Sequence, residues 1–141
     1  MATKAEIIEF LVREFPQSKC RVEEVGDASA TVIHDVGPDE LRPGGTVSGP
    51  VLMTVADVAL YVAILGEIGI VPLAVTTNLN INFLRRPAAG KAIIGASKLI
   101  KVGRGLAVGE VLVYSQGAPE LVAHAVGTYS IPQGRWNALT P

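Results

Sequence analysis

An aspartate lies in the middle of an otherwise apolar segment. Between Gly49 and Gly66 nearly every residue is hydrophobic, and Asp57 is the one acidic residue. Burying an unpaired carboxylate is costly, so an acid in such a segment needs a reason to be there. One reason is structural: a hydroxyl group or a neighbouring helix pairs with the acid. The other is chemical, since a positioned carboxylate can serve as a general base towards water or as a nucleophile.

A glycine precedes this aspartate by eight residues, at the end of a loop rich in glycine and proline. The loop ends in Ser48-Gly49-Pro50. Free N–H groups at a helix N-terminus lie at the positive end of its dipole, and glycine lets a substrate approach the backbone closely. The Gly49 N–H is therefore a candidate donor to a developing oxyanion. The structural alternative is that Gly49 and Pro50 only begin the helix.

The sequence around Asp57 predicts a long core helix that positions both groups. Ser48 or Gly49 suits the N-cap and Pro50 suits the first turn. Gly66 suits the stop. A helix that is apolar on all sides is normally buried on all sides, and this one is too short to span a bilayer comfortably.

The spacing of Gly49 and Asp57 limits how they can act together. Eight helical residues separate the two by about 12 Å along the axis. One carbonyl group cannot reach both in the same chain. If both act on one substrate, the site must be shared by antiparallel helices from two subunits, which predicts a homo-oligomer.

The remaining elements predict a sheet around this helix. We expect a helix over 3–15, ended by Pro16, and a loop over 37–47. Partial alternation in the strand after the core helix puts Thr77 on one face and Thr76 on the other. The order predicts an α+β fold whose antiparallel sheet curls around the core helix. The predicted strands are Arg21–Val25, Ala28–Val36, Ala74–Leu84, Lys91–Val102, Arg104–Tyr114 and Leu121–Pro132.

Length and composition bound the class of protein. The 141 residues predict one domain, with residues 1–16 as an N-terminal helix and 133–141 as a polar tail that contains Trp136. Twelve basic and thirteen acidic residues leave no electrostatic footprint for nucleic acid. Cys20 is the one cysteine of the sequence, so an intrachain disulfide and a metal cluster held by several cysteines are excluded. His34 has no second metal-type residue at a ligand spacing, and we expect it at the surface or half-buried rather than as a ligand. The N-terminus lacks an apolar signal segment, so we expect a cytoplasmic protein without a membrane partner.

Three segments resemble the hotdog fold, and specifically the phenylacetate-pathway type of small acyl-CoA thioesterases. The first is Ser48-Gly49-Pro50 followed by Asp57, where that family has His-Gly-Gly and an acid eight residues after the first glycine. The others are the strand segment 76–87 and the hairpin segment 102–110. The likeness runs from about Val22 to Pro132. Ser48 stands where the family usually has histidine, Pro50 stands at the second glycine, and Arg42 stands where relatives often have asparagine or glutamine.

The resemblance implies an acyl-CoA thioesterase that acts as a homodimer or homotetramer, with no cofactor beyond the coenzyme A of its substrate. It implies that Asp57 is the base or nucleophile and Gly49 the oxyanion donor, with Ser48 at the motif's histidine position. Thr77 aligns with a hydroxyl that positions water beside the acid. Arg42 and Pro50 fall among the substrate-binding positions. We expect a cluster at the strand ends to hold the coenzyme A phosphates: Arg85, Arg86, Lys101, Gly103 and Arg104. For these charges the alternative is a solvated rim.

Two other functions remain open at this point. One is a non-catalytic acyl-CoA binder, in which Ser48 marks the loss of activity. The other is a hotdog hydratase or dehydratase. Those enzymes usually combine a histidine with an acid, and neither His34 nor His124 lies in the loop–helix segment, which disfavours that function.

Overall fold

A six-stranded antiparallel sheet curves around one long helix in the computed structural model. The structure describes residues 1–132, and the predicted tail over 133–141 lies outside that range. The order of strands across the sheet is β1-β2-β6-β7-β8-β5, which leaves β1 and β5 at its edges. This is the hotdog architecture that the resemblance implies. The elements are α1 (Lys4–Glu14), β1 (Cys20–Gly26), β2 (Ser29–His34), β3 (Leu41–Arg42), β4 (Thr46–Val47), α2 (Gly49–Ile68), β5 (Val75–Phe83), β6 (Ile93–Val102), β7 (Leu106–Ser115) and β8 (Leu121–Ser130).

The core helix α2 begins where the sequence predicts and ends two residues later. Ser48 is the N-cap in an extended conformation, and Pro50 occupies the first turn. The predicted stop at Gly66 is wrong, because the helix continues to Ile68 and is capped by Gly69, whose φ of 103° favours glycine. Gly66 instead makes room for β1, since a Cβ there would lie 2.7 Å from Val25 Cγ1.

Glycines in the sheet let α2 lie close against three adjacent strands. A Cβ on Gly95 of β6 would lie 2.8 Å from Val55 Cγ1, and one on Gly127 of β8 would lie 2.5 Å from Leu60 Cδ1. Gly109 of β7 meets the same leucine in the same way. By length and composition α2 resembles a membrane span. Its burial inside the curved sheet accounts for that composition.

A β-bulge changes which threonine of β5 faces the helix. Thr76 pairs with Tyr129 and Asn78 pairs with Thr128, so Thr77 is the extra residue. The predicted alternation, with Thr77 on the same face as Leu79, is therefore wrong at this end of the strand. Thr76 turns towards α2, whereas the Thr77 hydroxyl donates to the Thr128 carbonyl oxygen at 3.3 Å.

The N-terminal helix α1 lies over α2 and β1. Thr3 and Glu6 form a reciprocal capping box, and Ile7 and Phe10 are buried. The chain leaves the helix at Phe15, whose ring packs edge-on against Tyr61 of α2 at a centroid distance of 5.8 Å. The end of α1 thus covers part of the α2 surface that carries Asp57.

Candidate active site

The Asp57 carboxylate is held by two hydroxyl groups from two strands. Thr76 Oγ1 of β5 donates to Asp57 Oδ1 at 2.6 Å, and the Tyr129 hydroxyl of β8 lies 2.7 Å from the same oxygen. Tyr129 also lies 3.0 Å from the Asp57 main-chain oxygen. Burial, and next the charge of Asp57, raise the pKa of Tyr129 well above its usual value. Tyr129 therefore stays protonated and remains a hydrogen-bond donor.

A cavity of about 500 Å³ opens beside this carboxylate. One wall is the face of α2 that carries Thr54, Asp57 and Tyr61. The end of α1 and the segment that follows it cover the cavity, and the start of β5 closes the other side. Half of its lining residues are apolar or aromatic, and most of the exposed lining surface is apolar, which suits an acyl group. The acid supplies a reactive oxygen at the cavity wall. The apolar and aromatic lining comprises Leu11, Phe15, Val58, Tyr61, Pro72, Ala74, Val75 and Tyr129.

The Gly49 N–H lies at the first turn of the same helix, outside this lining. Ser48 makes no side-chain capping bond, and the Val51 N–H donates back to the Ser48 carbonyl oxygen at 3.2 Å. Gly49 is the first residue of the helix and supplies its first N–H. Pro50, the next residue, has no N–H to donate. The Phe83 ring packs 3.4 Å from where a Gly49 Cβ would lie. Because α2 is continuous from Gly49 through Asp57, the two groups are about 12 Å apart along its axis.

A family model for the thioesterase superfamily matches residues 44–122, more than half of the chain. The chain belongs to the thioesterase superfamily. The match includes the start of α2, the acid and strand β5. None of the curated proteins matches the chain.

Solved structures of similar proteins share this fold over most of the chain. A protein from Silicibacter sp. TM1040, described as a putative thioesterase, is 40% identical with a TM-score of 0.84, over 92% of this chain and 91% of that one. A single-site mutant of the phenylacetic acid degradation protein PaaI from Thermus thermophilus is 25% identical with a TM-score of 0.71, over 88% and 99%. A hypothetical thioesterase solved with coenzyme A, from Streptococcus pneumoniae TIGR4, is 21% identical with a TM-score of 0.70, over 81% and 86%.

The cationic residues predicted to bind phosphate are split within one chain of this thioesterase-superfamily protein. Arg85 and Arg86 follow the end of β5 at Phe83, close to Gly49. Lys101, Gly103 and Arg104 lie at the turn between β6 and β7, which is level with Val75 at the opposite end of β5. The single cluster expected from the sequence is therefore wrong for one chain. Arg85 also bonds the Leu121 carbonyl oxygen through Nε at 3.0 Å, which ties the end of β5 to β8.

Arg42 lies apart from Asp57, in the short β3–β4 hairpin. It pairs with Thr46 and is exposed. Gly44 and Gly45 make the turn with φ of 89° and 77°, a conformation that favours glycine. Arg42 is not part of the cavity lining around Asp57 in the same chain.

A part-buried hydrogen-bonded pair, His34 and Glu40, that the sequence does not predict lines the cavity as well. His34 is 4% exposed, which is more buried than the surface or half-buried position expected, and its Nε2 lies 2.8 Å from Glu40 Oε2. Burial alone would raise the pKa of Glu40, but bonds from the Gly37 N–H and from His34, with the charges of His34 and Lys19, hold it below its usual value. Cys20 Sγ lies 3.8 Å from His34 Nδ1, and burial raises the pKa of this thiol to about 11, which makes it a poor nucleophile. The pair fixes the loop that leads to α2, since Ser48 N–H donates to the Glu40 carbonyl oxygen at 3.1 Å.

Sequence reasoning missed Thr76 and Tyr129 as partners of Asp57. Thr76 adjoins the predicted Thr77, so only the bulge separates the prediction from the observed contact. Tyr129 lies 72 positions after Asp57, and a tyrosine in a strand is ordinary. The one available signal was the rule that a buried tyrosine hydroxyl finds a polar partner.

Proposed function

We propose that this member of the thioesterase superfamily hydrolyses acyl-CoA thioesters at a site shared between two subunits. The observation that carries the proposal is the Asp57 carboxylate, which is fixed by two hydroxyls at the wall of a largely apolar cavity. Both bonds fall on Oδ1. Oδ2 accepts no hydrogen bond from the described residues, which suits an oxygen that reacts.

Thioester hydrolysis needs a group that supplies or activates a nucleophile and a donor for the oxyanion. In one route Asp57 Oδ2 takes a proton from a water whose oxygen bonds the thioester carbonyl carbon; the C–S bond then breaks, coenzyme A leaves as the thiolate and takes up that proton, and the acid is released. In the other route Oδ2 attacks the carbonyl carbon and displaces the coenzyme A thiolate, and water then hydrolyses the resulting mixed anhydride to the acid and the free carboxylate. The Gly49 N–H, at the positive end of the α2 dipole, stabilises the negative charge that develops on the carbonyl oxygen. Neither role needs a metal or a cofactor beyond the coenzyme A of the substrate.

A two-fold dimer brings these two groups together. If two copies of α2 pack antiparallel, Asp57 of one subunit lies beside Gly49 of the partner subunit. Arg85 and Arg86 lie near Gly49, whereas Lys101 and Arg104 lie at the end of the sheet near Asp57. The same two-fold rotation therefore brings the two arginines of one subunit towards Lys101 and Arg104 of the other, so the two groups of cations converge on one site. The edge strand β5 supports the pairing, because within residues 1–132 it has a neighbouring strand on one side only, and it exposes Val75 by 56% and Phe83 by 53%. The assembly is thus a homodimer, or a homotetramer built from such dimers.

The likeness to other structures supports coenzyme A as the carrier. The Streptococcus pneumoniae protein was solved with coenzyme A, and membership of the thioesterase superfamily supports the same carrier here. The cavity volume suits a small or medium acyl or aryl-acyl group.

Arg86→Ala and Arg104→Ala are each expected to weaken the binding of free coenzyme A about tenfold, as loss of one charge-assisted hydrogen bond would do. Binding should also fall as salt rises. Isothermal titration at two salt concentrations measures both effects. Lys4→Ala is the matched control, because Lys4 is an exposed cation on α1 and belongs to neither group. If alanine variants of Arg85, Arg86, Lys101 and Arg104 all bind like wild type, the nucleotide lies elsewhere.

A panel of acyl-CoA thioesters tests the proposed function directly. Release of free thiol measures turnover, and the rise in melting temperature measures binding. Turnover of at least one thioester is the expected result. Stabilisation without turnover would instead support a non-catalytic binder, which the serine in place of the motif histidine favours. Addition of water to an enoyl-CoA would indicate a hydratase.

A further inference from the structure

Burial and ring stacking fix the side chain of Tyr129 beside Asp57. Its side chain lies on β8, between β7 and β5, and the residue is 3% exposed. Its ring stacks on Tyr61 of α2 with a centroid distance of 6.0 Å and an interplanar angle of 22°. Tyr61 is itself fixed, because its hydroxyl donates to the Pro72 carbonyl oxygen at 3.2 Å and its ring meets Phe15. The Tyr129 hydroxyl therefore has little freedom to leave Asp57.

We propose that Tyr129 is the positioning residue for the reactive carboxylate: with Thr76 it holds Asp57 Oδ1 and leaves Oδ2 directed at the thioester. The inference rests on the proposed function and adds a group to it. The Tyr129 ring lines the cavity, but its hydroxyl bonds the acid and not the reacting thioester. It acts by fixing the orientation of the acid.

The geometry of the hydrogen bonds around Asp57 supports this role. The Tyr129 hydroxyl has one proton and lies closer to Oδ1, at 2.7 Å, than to the Asp57 main-chain oxygen, at 3.0 Å. Thr76 reaches the same Oδ1 at 2.6 Å from β5, the strand that pairs with β8 at this position. The terminal torsion of an aspartate is broad when nothing restrains it. Two donors on one oxygen fix that torsion, so the other oxygen keeps one direction.

Tyr129 is better placed for this task than Thr76. Thr76 lies next to the bulge of an edge strand, where the ladder is interrupted. Tyr129 lies in a strand paired on both sides and opposite Ala107 of β7. Burial raises the pKa of Tyr129 above its usual value, so the phenol keeps its proton at neutral pH. Misplacing a reacting group by about 1 Å can cost about a hundredfold in rate, so a fixed donor of this kind has a measurable effect.

Tyr129→Phe removes the hydroxyl and keeps the ring that stacks on Tyr61. We expect kcat on the best thioester of the panel to fall about 10- to 50-fold and KM to stay within about twofold, because orientation matters most in the transition state. Tyr114→Phe is the matched control: it removes a tyrosine hydroxyl from β7 outside the cavity lining. That variant should keep the wild-type kcat. Melting temperatures of both variants report any loss of fold.

A second set of variants separates positioning from support of the fold. In the Asp57→Asn background, adding Tyr129→Phe should change the residual rate less than about twofold, since no carboxylate remains to be oriented. Thr76→Val should lower kcat, and Thr76→Ser, which keeps the hydroxyl, should restore most of it. A folded Tyr129→Phe protein with wild-type kcat overturns the role of Tyr129 and leaves the proposed function intact. A rise in KM at constant kcat overturns it too. A wild-type protein that turns over no thioester overturns the proposed function, and the positioning role with it.

Discussion

Asp57→Asn is expected to lower turnover at least about a hundredfold, in line with the loss of a general base or nucleophile. The melting temperature should be unchanged or raised, and acyl-CoA binding should be retained. The substitution removes the charge and nearly preserves the volume. Steady-state kinetics on the best thioester, thermal unfolding and ligand-induced stabilisation measure the three effects on the same preparation.

The hydrogen bonds of Asp57 explain why the fold should survive. Thr76 and Tyr129 both donate to Oδ1, and an asparagine carbonyl oxygen can accept both bonds. The amide nitrogen then takes the position of Oδ2, which accepts nothing from the described residues. A half-buried charge on an apolar helix is a feature that trades stability for function, so its removal does not weaken the fold.

Glu67→Gln is a suitable control for this experiment. It removes a carboxylate from the same helix, near its C-terminal end and outside the cavity lining. The wild-type rate should persist there. A folded Asp57→Asn protein that turns over at the wild-type rate would falsify the catalytic assignment. A variant that unfolds would instead favour a structural role for Asp57, in which its hydrogen bonds with Thr76 and Tyr129 stabilise the fold.

The sequence predicts the parts of the fold that depend on local chemistry. Pro50 and the apolar run that follows it predict the helix α2 and the residue at which it begins. Asp57 is recognisable as a candidate functional residue because a lone acid in that run is costly to bury. The six strands of the sheet follow from turn residues and β-branched residues. The end of α2 was misplaced, because Gly66 is small for close packing against Val25 rather than for a turn.

The contacts that complete the site depend on register, which composition does not encode. A bulge moves Thr76 into the place predicted for Thr77, and nothing in the run Thr76-Thr77-Asn78 marks which residue is extra. The split of the phosphate-binding candidates follows from antiparallel pairing, which sets Arg86 and Arg104 at opposite ends of the sheet. The pair of His34 and Glu40 depends on how the loop folds back after β2.

Mixing two inactive variants is expected to restore about a quarter of the wild-type activity if the site is shared in a two-fold dimer. One partner is Asp57→Asn, and the other is Gly49→Pro. Proline is tolerated at the first position of a helix and has no N–H, so it removes the candidate oxyanion donor. The melting temperature of this variant checks that α2 tolerates a proline directly before Pro50. Gly49→Pro alone should lose about a hundredfold or more of turnover. Gly49→Ala adds a similar Cβ beside Phe83 but keeps the N–H, and it should retain most activity.

The arithmetic of the mixture makes the result decisive. Random association of equal amounts gives hybrid dimers half of the time, and each hybrid has one site with both a native Asp57 and a native Gly49 from different chains. If one chain contained its whole site, every site would carry one defect and the rate would stay near the sum of the two variants. Co-expression with a different affinity tag on each variant, and capture of a sample on both tags in turn, confirms that hybrids form. The two groups lie roughly 12 Å apart along α2, so they can act on one carbonyl group only if they come from two chains. A stable monomer at micromolar concentration, or a hybrid with no recovered turnover, would therefore exclude the shared site.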